Sequence, residues 1–452
     1  MYALNHRWLR WGLIALITLF CSAASLIGAP VAQAQTPLKV GIVCTNSSSP
    51  NPSFTLTTQV GYILLPDGNT MYMWGFSAGN GGFQHPGPVL CVNEGDTVTV
   101  VLHNTFAEAV SIVFPGQENV LANGVPVQPQ FDGNNKMTSL TTVAPANGGS
   151  VTYSFVATHP GTFIYESGTN PQKQVNMGLF GALIVYPTHV SDSNPLISNV
   201  KYAYNRADSA FMPQEEFMVL LSEIDPYQHQ RVEQQAANPN LPDFNMNNYH
   251  ARYWLINGRG FPDSIADNGA SFLPTQPYGA LALVHEFNTD TNAGINYHPY
   301  PGLARYLNVG TEPYPFHPHG NNGRVMGRDG HPLEDTGAED LSFEKYAINI
   351  GPGQTWDVLV QWHDAEQYSP SNPVPVVVPQ VANQAFGQFY GGSPYLGETG
   401  TLPPGSSTLN QCGEFYIIAH NHALYQITSW GVNMTGPITY MRVDPPLPNN
   451  CQ

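Results

Sequence analysis

Two pairs of histidines stand out for their spacing. His317 and His319 lie in "YPFHPHGNNG", and His420 and His422 lie about a hundred residues later in "YIIAHNHALYQ". On a strand, residues two apart point to the same face, so each His-x-His presents two imidazoles together. If the two strands are neighbours, four neutral nitrogens converge. That is a divalent metal site of imidazole type, copper first by affinity, with zinc or another divalent metal as the alternatives. A lone histidine on a strand is most simply a half-buried side chain bonded to backbone. Two pairs ask for more partners than backbone readily supplies. His103, His159, His250, His285, His298 and His363 stand alone and read as structural or surface residues, as does His331 after its turn.

The elements around these pairs read as strands. "SFTLTTQVGYILL", the turn Pro66-Asp67-Gly68-Asn69, and "TMYMWGF" form one series with "GDTVTVVLHN", "GSVTYSFVA", "GTFIYES" and "FGALIVYP". Val98, Val100 and Leu102 alternate with Thr97, Thr99 and Val101, the period of a half-buried strand. A polar stretch at 188–200 marks a boundary. A second series follows it, with "EFMVLLSEID", "ARYWLINGRGF", "TWDVLVQW" and "ITYMRV". Helical periodicity is nearly absent. Short strands between turn residues predict an all-β chain of sandwich or barrel type. Two domains are expected, 35–190 and 213–452, joined by a linker at 191–212. A Pro/Gly/Ser/Asn-rich insertion occupies 367–413.

The composition narrows the function. Charged residues make up 10% of the chain and the formal net charge is −17, with no basic cluster of the kind that binds nucleic acid. Residues 1–34 read as a secretory signal. Arg7 and Arg10 lead "WGLIALITLFCSAASLIGA", and Ala32-Gln33-Ala34 is a small-x-small cleavage site. No later segment is apolar for long enough to span a bilayer. Beyond the signal lie Cys44, Cys91, Cys412 and Cys451. Four cysteines in an exported chain suggest two disulfides, and of the three pairings Cys44–Cys91 with Cys412–Cys451 closes each within one end of the chain. The expected location is periplasmic or extracellular.

A set of segments in order, "CVNEGDTVTVVLHN", "SIVFPGQ", "PGTFIYES", "GLFGALIVYP", "YWLINGRGFPD", "YPFHPHGN" and "AHNHALYQ", resembles the multicopper oxidases and their cupredoxin domains. The resemblance implies two Greek-key β-barrel or sandwich domains, copper, and one-electron substrate oxidation coupled to dioxygen reduction. It also implies ligand positions. Where the family carries His-Trp-His-Gly, this chain has Val113-Phe114-Pro115-Gly116. Where a second His-x-His follows, it has Glu166-Ser167-Gly168, with Glu166 a carboxylate in a ligand's place. In the last block, His317, His319, His420 and His422 match the cluster histidines. Tyr314, Asn421 and Gln426 stand where the type 1 copper has His, Cys and His.

The expected function is therefore that of an exported copper-binding protein with oxidoreductase character, acting on a small molecule or metal ion, and unlike a standard laccase. The alternatives are a non-catalytic copper-binding or storage protein and a metal-free envelope scaffold. Relatives with two domains often build sites across subunits, so a homo-oligomer is compatible with the reading.

Overall fold

The computed structural model describes residues 38–45, 47–190, 194–197, 199–320, 322–362, 377–379, 407–409, 415–444 and 446–448. The segment read as a signal, the partner cysteines Cys412 and Cys451, His363 and most of the 367–413 insertion lie outside the described residues. Of that insertion, Val377–Pro379 and Ser407–Leu409 pair as antiparallel strands.

Strands make most of the regular secondary structure, as the alternation predicts. In Thr97–His103 every second residue is buried. Val98, Val100 and Leu102 point into a core shared with Leu56, Phe76, Val151, Tyr153 and Leu183. Fully burying such a side chain contributes about 1.5–3 kcal/mol before entropy is counted. Two sheets enclose this core. One is four-stranded, in the order Cys44–Thr45, Val89–Asn93, Phe180–Tyr186, Gly161–Glu166. The other is six-stranded and runs from Thr70–Ala78 through Ser53–Leu64, Thr97–His103 and Ser150–Val156 to two short edge strands. The predicted Cys44–Cys91 disulfide is present, with Cα atoms 5.5 Å apart. It ties the edge strand of the first sheet to its parallel neighbour.

A second sandwich follows. Its nine-stranded sheet centres on Glu216–Ile224, Gly302–Asn308 and Thr355–Val360. Its five-stranded sheet runs Ala282–His285, Ile438–Asp444, Phe415–Asn421, Tyr314–Pro318, Ile348–Ile350. Between them pack Val219, Leu221, Trp254, Tyr306, Phe316, Val358, Ile417 and Met441. The architecture is all-β with two cupredoxin-like sandwiches.

The two sandwiches share a buried seam. Val89, Ile164, Phe180 and Ile184 of the first pack on Met218, Leu220 and Leu307 of the second. Arg305, fully buried, crosses it. Its Nε donates to Glu216 Oε1 at 2.7 Å and its Nη1 donates to Thr162 Oγ1 at 2.9 Å. The same Nη1 reaches Asp357 Oδ1 at 3.2 Å. A buried charge is tolerated only with such pairing.

Two features depart from the strand-only reading. The stretch read as a linker contains a small hairpin, Lys201–Tyr202 with Ala210–Phe211, and buried Tyr204 donates to Asp357 Oδ2 at 2.6 Å. A 12-residue helix, Pro226–Ala237, follows Asp225, whose side chain accepts from Tyr227 N. Asp-Pro is a sound helix start. The helix buries only Gln228, His229 and Val232, so its apolar stripe is too thin to show as periodicity.

Candidate metal centre

The His-x-His pairs sit on adjacent antiparallel strands of the five-stranded sheet. The register sets Phe316 opposite Asn421, His317 opposite His420, and Pro318 opposite Ala419. His319 N donates to Ile418 O at 2.9 Å and His422 N to Pro315 O at 2.7 Å, which carries the pairing past both strand ends. Along Tyr314–Pro318 the even positions are buried and the odd ones are not. Tyr314 and Phe316 enter the core, while His317 and His319 face out of it. Across the ladder Ile417, Ala419 and Asn421 are buried, and His420 and His422 take the outer face.

The rings gather. Centroids lie 4.6 Å apart for His317–His319, 5.1 Å for His319–His420, 5.4 Å for His420–His422, 5.5 Å for His317–His422 and 5.9 Å for His317–His420. Two rings are held by backbone carbonyls: His317 Nδ1 bonds Tyr346 O at 2.9 Å, and His420 Nδ1 bonds Asn421 O at 2.8 Å. A carbonyl only accepts, so Nδ1 carries the proton in each and the Nε2 lone pair is left for another partner. His319 Nε2 and His420 Nε2 are 3.0 Å apart. Burial, then the neighbouring imidazoles, push His319 down to about 4. Burial also lowers His420, opposed by its bond to the Asn421 carbonyl. Both are neutral at pH 7, the ligand form of imidazole.

Behind these rings, on the core side, Tyr314, Asn421 and Gln426 are completely buried. Tyr314 Oη donates to Glu223 Oε2 at 2.5 Å, and Thr311 Oγ1 donates to Glu223 Oε1 at 2.7 Å. Asn421 Nδ2 donates to Gln426 Oε1. Gln426 Nε2 donates to Glu312 Oε2 at 2.6 Å, which also accepts from Trp254 Nε1 at 3.1 Å. These two sets of hydrogen bonds leave Asn421 Oδ1 without a partner.

In the first sandwich, Val113 and Glu166 pair through their backbones. Phe114 packs on Tyr153 and Phe155, with centroids 5.7 and 5.0 Å away. Ser167 Oγ donates to Gln174 Oε1 at 2.6 Å. A Cβ on Gly168 would meet Val113 Cγ1 at 2.7 Å. Burial raises the Glu166 carboxyl to about 7.

One cluster escaped the sequence reading. His285 and His298, read there as lone, lie beside buried Glu215. Among the described residues, this trio, and not a set drawn from the four histidines, has ligand atoms all within 4.8 Å of one another. Glu215 is far from both histidines in sequence, and His285 and His298 do not form a His-x-His pair. The fold brings together a 3-10 turn, a strand end and a bridge residue. His331 is exposed, its ring 5.7 Å from that of His159.

Comparison with known proteins places the chain. A family model described as multicopper oxidase matches residues 64–190. The chain is 37% identical over 123 residues, 27% of its length, to L-ascorbate oxidase of Cucurbita maxima. It is 34% identical over 106 residues, 24% of its length, to copper resistance protein A of Pseudomonas syringae pv. tomato. These matches span 18% and 15% of the two relatives, under a fifth of each. Among solved structures, the multicopper oxidase mgLAC aligns with a TM-score of 0.52 at 18% identity, over 87% of this chain and 86% of that one. A blue copper oxidase from Nitrosomonas europaea aligns at 0.51 and 17%, over 87% and 85%. Residues 64–190 match the multicopper oxidase family model, and the described sandwiches share the fold of these solved multicopper oxidases.

Proposed function

We propose that this chain is an exported copper-binding protein of multicopper-oxidase type that holds its metal through His317, His319, His420 and His422. The observation that carries the reading is the in-register pairing of His317 with His420, with both Nδ1 atoms committed to backbone carbonyls. A borderline-soft ion of copper type suits an all-imidazole donor set. Copper bound there would supply one-electron redox chemistry. The protein's own part is to keep His319 and His420 neutral, to fix the tautomers of His317 and His420, and to leave His422 exposed. The substrate would be a small molecule or a metal ion.

A laccase-type reaction is not expected. That chemistry needs a thiolate that couples an electron-entry copper to its neighbours, and Asn421 is not a soft ligand. The closed network around Tyr314, Asn421 and Gln426 favours a second reading, a copper-binding or storage protein without turnover. The matching domain in the first sandwich has no histidine at 113–116 or 166–168, so the reading rests on the second sandwich alone.

The test is a copper titration of His317→Ala combined with His420→Ala. The account expects affinity to fall at least 100-fold while the unfolding transition of the metal-free protein stays in place. Stoichiometric copper retained in the double variant means the site is elsewhere. Oxidase assays with phenols, Cu(I), Fe(II) and Mn(II) on the unmodified protein then separate catalysis from storage.

A further inference from the structure

We propose that Glu215, His285 and His298 form a second divalent-cation site, of zinc type, separate from the four-histidine face. Three different elements deliver the donors. Glu215 ends a single 3-10 turn, Pro213–Glu215, with its amide bonded to Met212 O at 2.9 Å. His285 is the last residue of Ala282–His285, set in parallel register against Asp444. His298 is fixed by two reciprocal backbone bonds with Asn288, of 2.8 and 2.9 Å.

The side chains converge on one point. His285 Nδ1 lies 2.7 Å from Glu215 Oε1, and His298 Nε2 lies 3.0 Å from the same oxygen. The two rings are 5.5 Å apart, centroid to centroid. The Glu215 side chain is wholly buried, with 0% exposure. A carboxylate–imidazole ion pair would account for the Oε1 contacts. It does not account for the rest. Glu215 Oε2 and His298 Nε2 are both buried and without a hydrogen-bond partner, the 3.0 Å approach being poorly aligned for a bond. Leaving a buried carboxylate and ring nitrogen incompletely paired is costly, and a cation held between Glu215 and His298 Nε2 would offset the carboxylate charge and complete the ring nitrogen.

The chemistry of the donors selects the ion. Two imidazoles and one carboxylate, with no thiolate, are a familiar zinc set, usually completed by water. A small cavity of about 40 Å³ opens beside them, lined by His285, Asn296, His298, Asp444 and Leu447. That is more than the ~10–15 Å³ one water needs. Asp444 already pairs with Arg442 at 2.6 Å, so it borders the site without being required as a ligand.

The experiment keeps the two sites apart. Full-length protein carrying His317→Ala and His420→Ala is equilibrated with Zn²⁺, freed of excess metal and analysed for zinc. One zinc per chain is expected. Its absorption-edge fine structure should show two imidazole nitrogens and carboxylate or water oxygens. Adding His298→Ala should weaken zinc binding at least tenfold. Since a ligand truncation can unfold a protein, near-isosteric Glu215→Gln in the otherwise unmodified chain gives a second reading. It should lower the zinc stoichiometry by one, whatever the histidine face takes up. No zinc bound in the double variant, or an unchanged stoichiometry in Glu215→Gln, overturns the proposal.

Discussion

The two faces of the ladder formed by Tyr314–Pro318 and Phe415–Asn421 treat polar side chains in opposite ways. On the core face, Tyr314 and Asn421 are enclosed in hydrogen bonds to Glu223, Gln426 and, through Gln426, Glu312. On the outer face, His317, His319, His420 and His422 have backbone carbonyls at two Nδ1 atoms and otherwise one another. The same backbone register serves both faces, because alternate residues of a strand point opposite ways. What differs is how far protein groups satisfy the polar atoms. On the core face, hydrogen bonds take up the Tyr314 hydroxyl, the Asn421 amide nitrogen and Gln426, with only Asn421 Oδ1 left over. On the outer face, the imidazoles meet mainly one another. In the first sandwich, Phe114 packs on Phe155 and a Cβ on Gly168 would meet Val113 Cγ1.

The largest stability effect should come from opening the closed face. Tyr314→Phe removes the donor to Glu223 Oε2 and leaves a buried carboxylate oxygen unpaired, so unfolding in denaturant should show a loss of about 2–3 kcal/mol. Copper stoichiometry should not change. If it does, the two faces are coupled and the contrast fails.

Glu166 gives an effect that depends on pH. Its folded carboxyl titrates near 7 against an ordinary 4.5. Between those values the folded protein keeps a proton that the unfolded chain has lost. The group's favourable contribution is therefore full below about pH 4.5 and falls as pH rises to about 7. Glu166→Gln should leave stability nearly unchanged at about pH 4 and raise it by roughly 2 kcal/mol at about pH 8, given 1.36 kcal/mol per unit and the side chain's partial exposure. Equal effects at both pH values would show that the carboxyl is solvated or paired.

The smallest effect is expected from Gln426→Asn, which shortens the link between Asn421 and Glu312. About 1 kcal/mol of stability should be lost, again with no change in metal content.

Much of this was legible in the sequence, and for clear reasons. The alternation of Val98, Val100 and Leu102 needs only the period of a strand, and the structure buries all three. His-x-His likewise fixes a shared face before any partner strand is known. The Cys44–Cys91 pairing followed from chain proximity. What could not be read is whatever depends on which strand neighbours which. Nothing in "YPFHPHG" says that His317 will face His420, and nothing in "LVHEF" or "NYHPY" points to Glu215. The Pro226–Ala237 helix was missed because packing holds it through three side chains and an Asp225 cap, with hardly any apolar stripe to see.

The most direct test of the central claim is copper reconstitution of the purified protein, followed by elemental analysis with optical and electron paramagnetic resonance spectra. The account predicts bound copper with nitrogen hyperfine structure from imidazoles and no intense blue thiolate-to-copper band. A protein that binds no copper, or one that turns intensely blue, contradicts it.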